Sequence, residues 1–237
     1  MATRVEALHA RVEVWDLPLR LFHWLMVIAI AVAFLSSEED SPLNRWHVVA
    51  GWTAGLLLVF RVVWGFVGGE HSRFADFVKA TGFAGHVSEL LRGHAEPTLG
   101  HNPLGAVSVL VLLAMVAATV YTGVTLAEDA HEAIAWTLLA FVGVHVVAVI
   151  VMSRLSRENL IVAMFTGTKP AGRHPHARDA RAPGLVAWIV AAAVLAASVH
   201  AVRQYDPEAF TLRSAEKYEH QVKAARKAQR LQEAAGK

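Results

Sequence analysis

The chain has 237 residues, 55% of them hydrophobic and 18% charged, with a mean hydropathy of +0.40, a formal charge of +2 and no cysteine. This excludes an ordinary soluble domain, disulfides, thiolate-held iron–sulfur clusters and the C-x-x-C-H attachment of a c-type haem. The pI of about 9.1 does not point to nucleic acid, because the basic residues fall in loops and tails between apolar runs, the pattern of a positive-inside membrane chain.

Five apolar runs are each close to the roughly 20 residues that a crossing helix needs. The first, Leu19 to Leu35, reads "LRLFHWLMVIAIAVAFL". It lacks a small-residue cleavage site and flows on through "SSEEDSPLNRW", so it reads as a retained helix and not a signal peptide. The second runs from Trp46 to Val67 and the third, after a Gly/His/Pro-containing loop, from Leu104 to Ala127. The fourth covers Ala130 to Met152. The linker "TKPAGRHPHARDARAP" then leads to an alanine-rich fifth run, Gly184 to Val202. The remaining tail is charged and rich in helix formers, with Glu216 to His220 and Glu219 to Lys223 at i,i+4. It reads as a solvated or membrane-surface helix, or as a docking element for a partner.

Arg4, Arg11, Arg20, Arg73, Lys79, Arg92, Arg154, Arg157, Lys169, Arg173, Arg178 and Arg181 all fall on one side of such a bundle, while Arg45 stands alone on the other beside Glu38, Glu39, Asp40, Glu128 and Asp129. The bias puts the N-terminus in the cytoplasm, and five crossings put the C-terminal tail outside.

This topology sets the depth of the histidines. The segment "HEAIAWTLLAFVGVH" carries His131 and His145 fourteen residues apart. On a helix the two lie on nearly one face, about 21 Å apart along the axis. His131 is then at the outer level with His47, and His145 at the inner level with His23. Bundles build cofactor sites from side chains on facing helices. A structural zinc needs four ligands at one point, whereas two imidazoles on opposite sides of a flat macrocycle complete a six-coordinate haem iron, which carries electrons and binds no oxygen. Gly51, one turn after His47, and Gly143, just before His145, leave room for a macrocycle against the backbone or for tight helix packing, and packing is the commoner role.

The motifs "RLFHWL", "HVVAGW", "RVVWGFVG" followed by "HSRF", "GHNPLG", the fourteen-step histidine pair and "ENLIVAMFTG" together resemble the prokaryotic cytochrome b561 family, which includes the b-type cytochrome subunit of nickel–iron hydrogenases. The similarity covers roughly Val14 to Gly167. It implies an all-α inner-membrane protein in which a four-helix bundle holds two haem b groups, with axial ligands carried over to His23, His47, His131 and His145. It also implies electron transfer between the membrane quinone pool and a periplasmic redox partner. The short link "LAEDAHE", the fifth span and the tail depart from the family pattern and favour a periplasmic c-type cytochrome over a hydrogenase as that partner. The expected organisation is a dihaem core over 1–167, a cytoplasmic linker over 168–183, a fifth transmembrane helix over 184–202 and a charged, helical, periplasmic tail over 203–237.

Arg61, fourteen residues after His47, lies at the inner level, where it either contacts a haem propionate or snorkels to the surface. Arg20, one turn before His23, is an interfacial anchor with a propionate contact as the second role. Trp15, Trp24, Trp46, Trp52 and Trp64 fit an interfacial aromatic belt. His71, His86, His94, His174 and His176 read as loop residues; His101 belongs to the "GHNP" motif, and His200 is the rival axial ligand. Three functions are weighed: an electron-transfer subunit, a self-sufficient oxidoreductase acting on a small acceptor at the outer haem, and a histidine-lined metal or proton transporter. The electron-transfer subunit is the preferred reading, ahead of a stand-alone enzyme.

Overall fold

The computed structural model describes residues 11–78, 97–174 and 177–235. Arg4, Lys79, His86, Arg92, His94 and His176 lie outside the described residues. Five helices are long and apolar enough to cross a membrane: α1 (Leu17–Leu35), α2 (His47–Val67), α4 (Pro103–Thr125), α5 (Glu128–Leu155) and α7 (Leu185–Tyr205). They match the five apolar runs to within a turn. The short helices α3 (Phe74–Val78) and α6 (Leu160–Thr166) follow the second and fourth spans, and the tail forms α8 (Ala215–Ala235).

Local chemistry starts these helices where they start. Asp16 caps α1 by accepting from Leu19 N at 2.9 Å, with Pro18 in the first turn. Asn102 caps α4 by accepting from Gly105 N at 2.6 Å, and Pro103 follows it, so "GHNP" is a helix-start signal as well as a family motif. Asn159 caps α6 through Val162 N.

In the bundle α1 packs on α2, α4 packs on both α5 and α2, and α7 lies along α2. Ala29, Ala54, Ala187 and Ala191 are buried at these contacts and let the backbones approach, while Phe22, Met26, Val116 and Leu138 fill the space between. His131, Leu138, His145 and Met152 recur every seven residues on α5, and Leu138 and Met152 are buried. His47, Ala54 and Arg61 recur in the same way on α2, with Ala54 and Arg61 buried. Each stripe therefore carries an apolar residue between two polar levels.

The two ends of the bundle are built differently. At the end bearing the linker, Arg11–Glu13 and Thr168–Pro170 form a two-stranded antiparallel ribbon with Val12 opposite Lys169. The sequence offers no sign of it, because three-residue strands are too short to show alternation and the partners are more than 150 residues apart. The linker is docked on the loop after α2. Glu70 accepts from Arg178 at 2.9 Å and from Arg181 N at 3.1 Å, and these bonds pull its carboxyl down to about 2. His174, expected in a solvated loop, is instead packed against the buried Glu158 at 2.8 Å. Glu158 also faces Lys169 at 3.6 Å, and Lys169 donates to the Thr98 carbonyl. Burial lowers the pKa of Lys169 while Glu158 opposes that shift.

Asp16 ties this end together. Besides capping α1 it accepts from Trp64 Nε1 (3.1 Å), Gly69 N (3.0 Å) and Ser72 Oγ (2.8 Å). Trp64 is thus a fully buried structural residue and not part of an interfacial belt, because its indole N–H has a carboxylate partner inside. Trp46, by contrast, is exposed as a belt residue should be.

At the opposite end the tail folds back on the bundle. Ala215 N donates to Asn44 Oδ1 at 2.8 Å, Trp52 Nε1 donates to Asp206 at 2.9 Å, and Arg213 pairs with Asp206 in a buried contact. Tyr218 and Val222 pack on Val48, Trp52 and Leu126. Beyond Val222 the helix is exposed through Ala234. The first half of the tail is therefore a docked strap and the second a solvated helix, with the expected ion pair Lys223–Glu219 and the Glu216–His220 contact at 3.7 Å.

Replacing Asp16 removes a helix cap and strands the N–H groups of Trp64 and Gly69 together. Asp16→Ala is expected to cost about 2–4 kcal/mol. Thermal unfolding in detergent should show a lowered midpoint, and an unchanged midpoint would contradict the role given to this carboxylate.

Candidate functional site

His47 begins α2 and His131 lies in the first turn of α5, and the fold brings their ring centres to 6.0 Å with the planes 83° apart. A metal–imidazole bond of about 2 Å and about 1 Å from that nitrogen to its ring centre would put two imidazoles on opposite sides of one iron about 6 Å apart, centre to centre. At the other level His23 of α1 and His145 of α5 lie within range of each other's charge. The pair His47/His131 is therefore brought face to face, and His23 and His145 lie in the same neighbourhood at a second level.

The ring nitrogens are oriented for this task. His47 Nδ1 is 2.9 Å from the carbonyl of Ala33 in the last turn of α1, which also accepts from Ser36 Oγ at 3.3 Å. His131 Nδ1 is 2.9 Å from the Thr119 carbonyl, with Thr122 Oγ at 3.4 Å. A carbonyl only accepts, so Nδ1 of both rings carries the proton and Nε2 keeps the lone pair a metal needs. His145 Nδ1 meets Ser108 Oγ at 3.1 Å. His23 Nδ1 is buried without a hydrogen-bond partner among the described residues. These supporting groups carry no sequence signal: two are main-chain carbonyls, and Ser108 is 37 residues from its partner.

Glycine marks the space beside the pairs. A Cβ at Gly51 or at Gly143 would meet nothing within 4 Å. Gly51, one turn after His47, thus leaves open room on the histidine's face of α2, whereas Gly143, two residues before His145, is exposed on the far face of α5. Gly123 does serve close approach, since a Cβ there would come within 3.1 Å of the His131 ring.

Arg61 is 1% exposed, so it does not snorkel. Its cation lies 4.7 Å from the centre of the Phe74 ring and within range of Asp16, while Nη1 lacks a hydrogen-bond partner among the described residues. Arg20 donates to the Phe165 carbonyl at the end of α6, and its Nε has no hydrogen-bond partner among the described residues. Two orphaned guanidinium nitrogens near the inner pair suit the carboxylates of a macrocycle. His101 packs on Trp15 at 4.7 Å between ring centres and lies in range of Arg61 and His145; burial, aided by Arg61, pushes its pKa down to about 3 and keeps it neutral. His71 is hydrogen-bonded to Asp76 at 2.8 Å. His200 is exposed on α7, so α7 supplies no rival ligand to the pairs. Among the described residues no three His, Asp or Glu side chains converge as a metal-ion ligand set, which a zinc site or a histidine-lined metal path requires.

A family model described as prokaryotic cytochrome b561 matches residues 14–167, well over half of the chain. The chain is similar to proteins named probable Ni/Fe-hydrogenase B-type cytochrome subunits. It is 24% identical to that of Bradyrhizobium diazoefficiens, over 67% of this chain and 85% of the relative. It is 26% identical to that of Azotobacter vinelandii, over 66% and 87%, and 21% identical to that of Rhizobium leguminosarum bv. viciae, over 67% and 88%. No solved structure matches the chain. With the family matched across the three helices that carry the histidine pairs and across α4 packed against them, the chain belongs to the prokaryotic cytochrome b561 family, as an all-α, multi-pass membrane b-type cytochrome of electron transport.

Proposed function

We propose that the chain binds two haem b groups, one held by His47 and His131 and the other by His23 and His145, and carries electrons across the inner membrane between the quinone pool and a periplasmic redox partner. The observation that carries this reading is the approach of His47 and His131 to 6.0 Å with both Nδ1 atoms turned to carbonyls. Haem b, when bound, would supply one-electron iron chemistry. The chain's own residues do the rest. The four imidazoles would hold the iron through the Nε2 lone pairs, Arg61 and Arg20 would take propionates of the inner group, and Gly51 would leave room for the macrocycle beside His47. Leu138 keeps the two levels apart and dry.

The names of the relatives support a nickel–iron hydrogenase as the partner, ahead of the c-type cytochrome that the departures from the family pattern favoured. In this reading residues 1–167 are the dihaem core and 168–183 a cytoplasmic linker. Residues 184–202 are the fifth transmembrane helix, and 203–237 are a periplasmic tail that straps the partner-facing end. The positive-inside bias supports that orientation.

His23→Ala and His145→Ala should remove the same haem and leave the other spectrum intact, and His47→Ala and His131→Ala should remove the other. Optical redox titration of the four variants sorts them into two classes; a class shared by His23→Ala and His131→Ala would overturn the pairing. Lys217 and Lys223 are exposed on the tail. Protease added to intact spheroplasts should therefore cut there, and cleavage confined to inverted vesicles would reverse the orientation.

A further inference from the structure

The two histidine pairs are supported unequally. Both outer ligands donate Nδ1–H to main-chain carbonyls at 2.9 Å, His47 to Ala33 and His131 to Thr119. At the inner level, among the described residues, His145 Nδ1 meets a hydroxyl, Ser108 Oγ at 3.1 Å, and His23 Nδ1 has no hydrogen-bond partner. Donation of Nδ1–H to a strong acceptor pushes electron density to Nε2 and makes the imidazole a more basic ligand. A more basic ligand stabilises ferric over ferrous iron and so lowers the reduction potential; hydrogen bonding to ligands is one of the protein's levers on potential. An amide carbonyl is a better acceptor than a serine hydroxyl, and either is better than none.

We infer that the pair His23/His145 holds its iron at a higher reduction potential than the pair His47/His131, and that Ser108 is the positioning residue that sets the inner value through His145. The inference rests on the two-haem reading. Each site takes up one electron as ferric iron becomes ferrous, and no bond is made or broken. An electron delivered at the outer level then meets a better acceptor at the inner one. Arg61 acts in the same direction, since a buried cation favours the reduced iron. Asp16 lies in range of Arg61 and weakens that contribution, so the ligand hydrogen bonds carry the assignment.

The test is potentiometric, on full-length protein purified with its native haem, using dithionite as reductant and the α-band as readout. Haem per chain is counted by pyridine haemochrome. Wild type should show two one-electron steps. Ser108→Ala removes the acceptor, so it should move the upper step to still higher potential and leave the lower one in place. Ser108→Thr, which keeps a hydroxyl, should restore the wild-type value; a residue with a merely structural role would not give a shift confined to one step and reversed by a hydroxyl. Movement of the lower step, or of neither, in a protein holding two haems overturns this inference alone. Fewer than two haems in wild type overturns the two-haem reading and this inference with it.

Discussion

An imidazole at hydrocarbon depth needs a partner, and four of them at two depths need two partners. Water does not reach such positions to hydrogen-bond them, and polar side chains inside a bundle persist only where another group satisfies them. The fourteen-residue interval between His131 and His145 converts this demand into geometry. It forces each ring to look across the bundle at its own level, and the opposite directions of α1 and α2 supply one facing histidine to each. The seven-residue stripes on α5 and α2 follow from the same demand. Leu138 and Ala54 separate the levels, and Arg61 returns polarity to the inner one.

The ends of the bundle hold that alignment in place by different means. At the linker end, Asp16, Glu70 and Glu158 gather donors from segments far apart in the chain, so loop, linker and N-terminal strand form one polar floor beneath the inner pair. His101 and Arg61 sit against this floor, the one neutral and the other charged. At the tail end the fastening is largely apolar, with Tyr218 and Val222 on Val48, Trp52 and Leu126, beside a buried Asp206–Arg213 pair. Val48 follows His47 directly, so the strap lies next to the pair His47/His131.

What the sequence discloses about this protein is what repeats or what stands out against an apolar background. The five spans are legible because lipid demands long apolar runs. The histidine pairs are legible because four imidazoles interrupt those runs at intervals that helix geometry turns into depths. Arg61 stands out for the same reason. The ribbon of Val12 and Lys169, the bonds from Asp16 to Trp64, Gly69 and Ser72, and the burial of His174 against Glu158 are not legible, since each joins residues with no fixed spacing. Trp64 was misleading because a tryptophan near a span end is ordinarily interfacial, and only the fold reveals its internal carboxylate. Gly51 and Gly143 are ambiguous in sequence because a glycine serves packing or access; Gly51 has open space on the face of His47, while Gly143 is exposed on the face away from His145. The Nδ1 partners lie beyond sequence reading altogether, as main-chain carbonyls have no letter.

In the proposed arrangement two cofactors stand at two levels, each between one imidazole of α5 and one of α1 or α2. A high-resolution map of the haem-loaded protein in a lipid nanodisc tests it most directly. Two flat densities are expected, one between His47 and His131 and the other between His23 and His145, with Gly51 lying against the first. A single density, a density ligated by His200, or one joining His23 to His131 would contradict it.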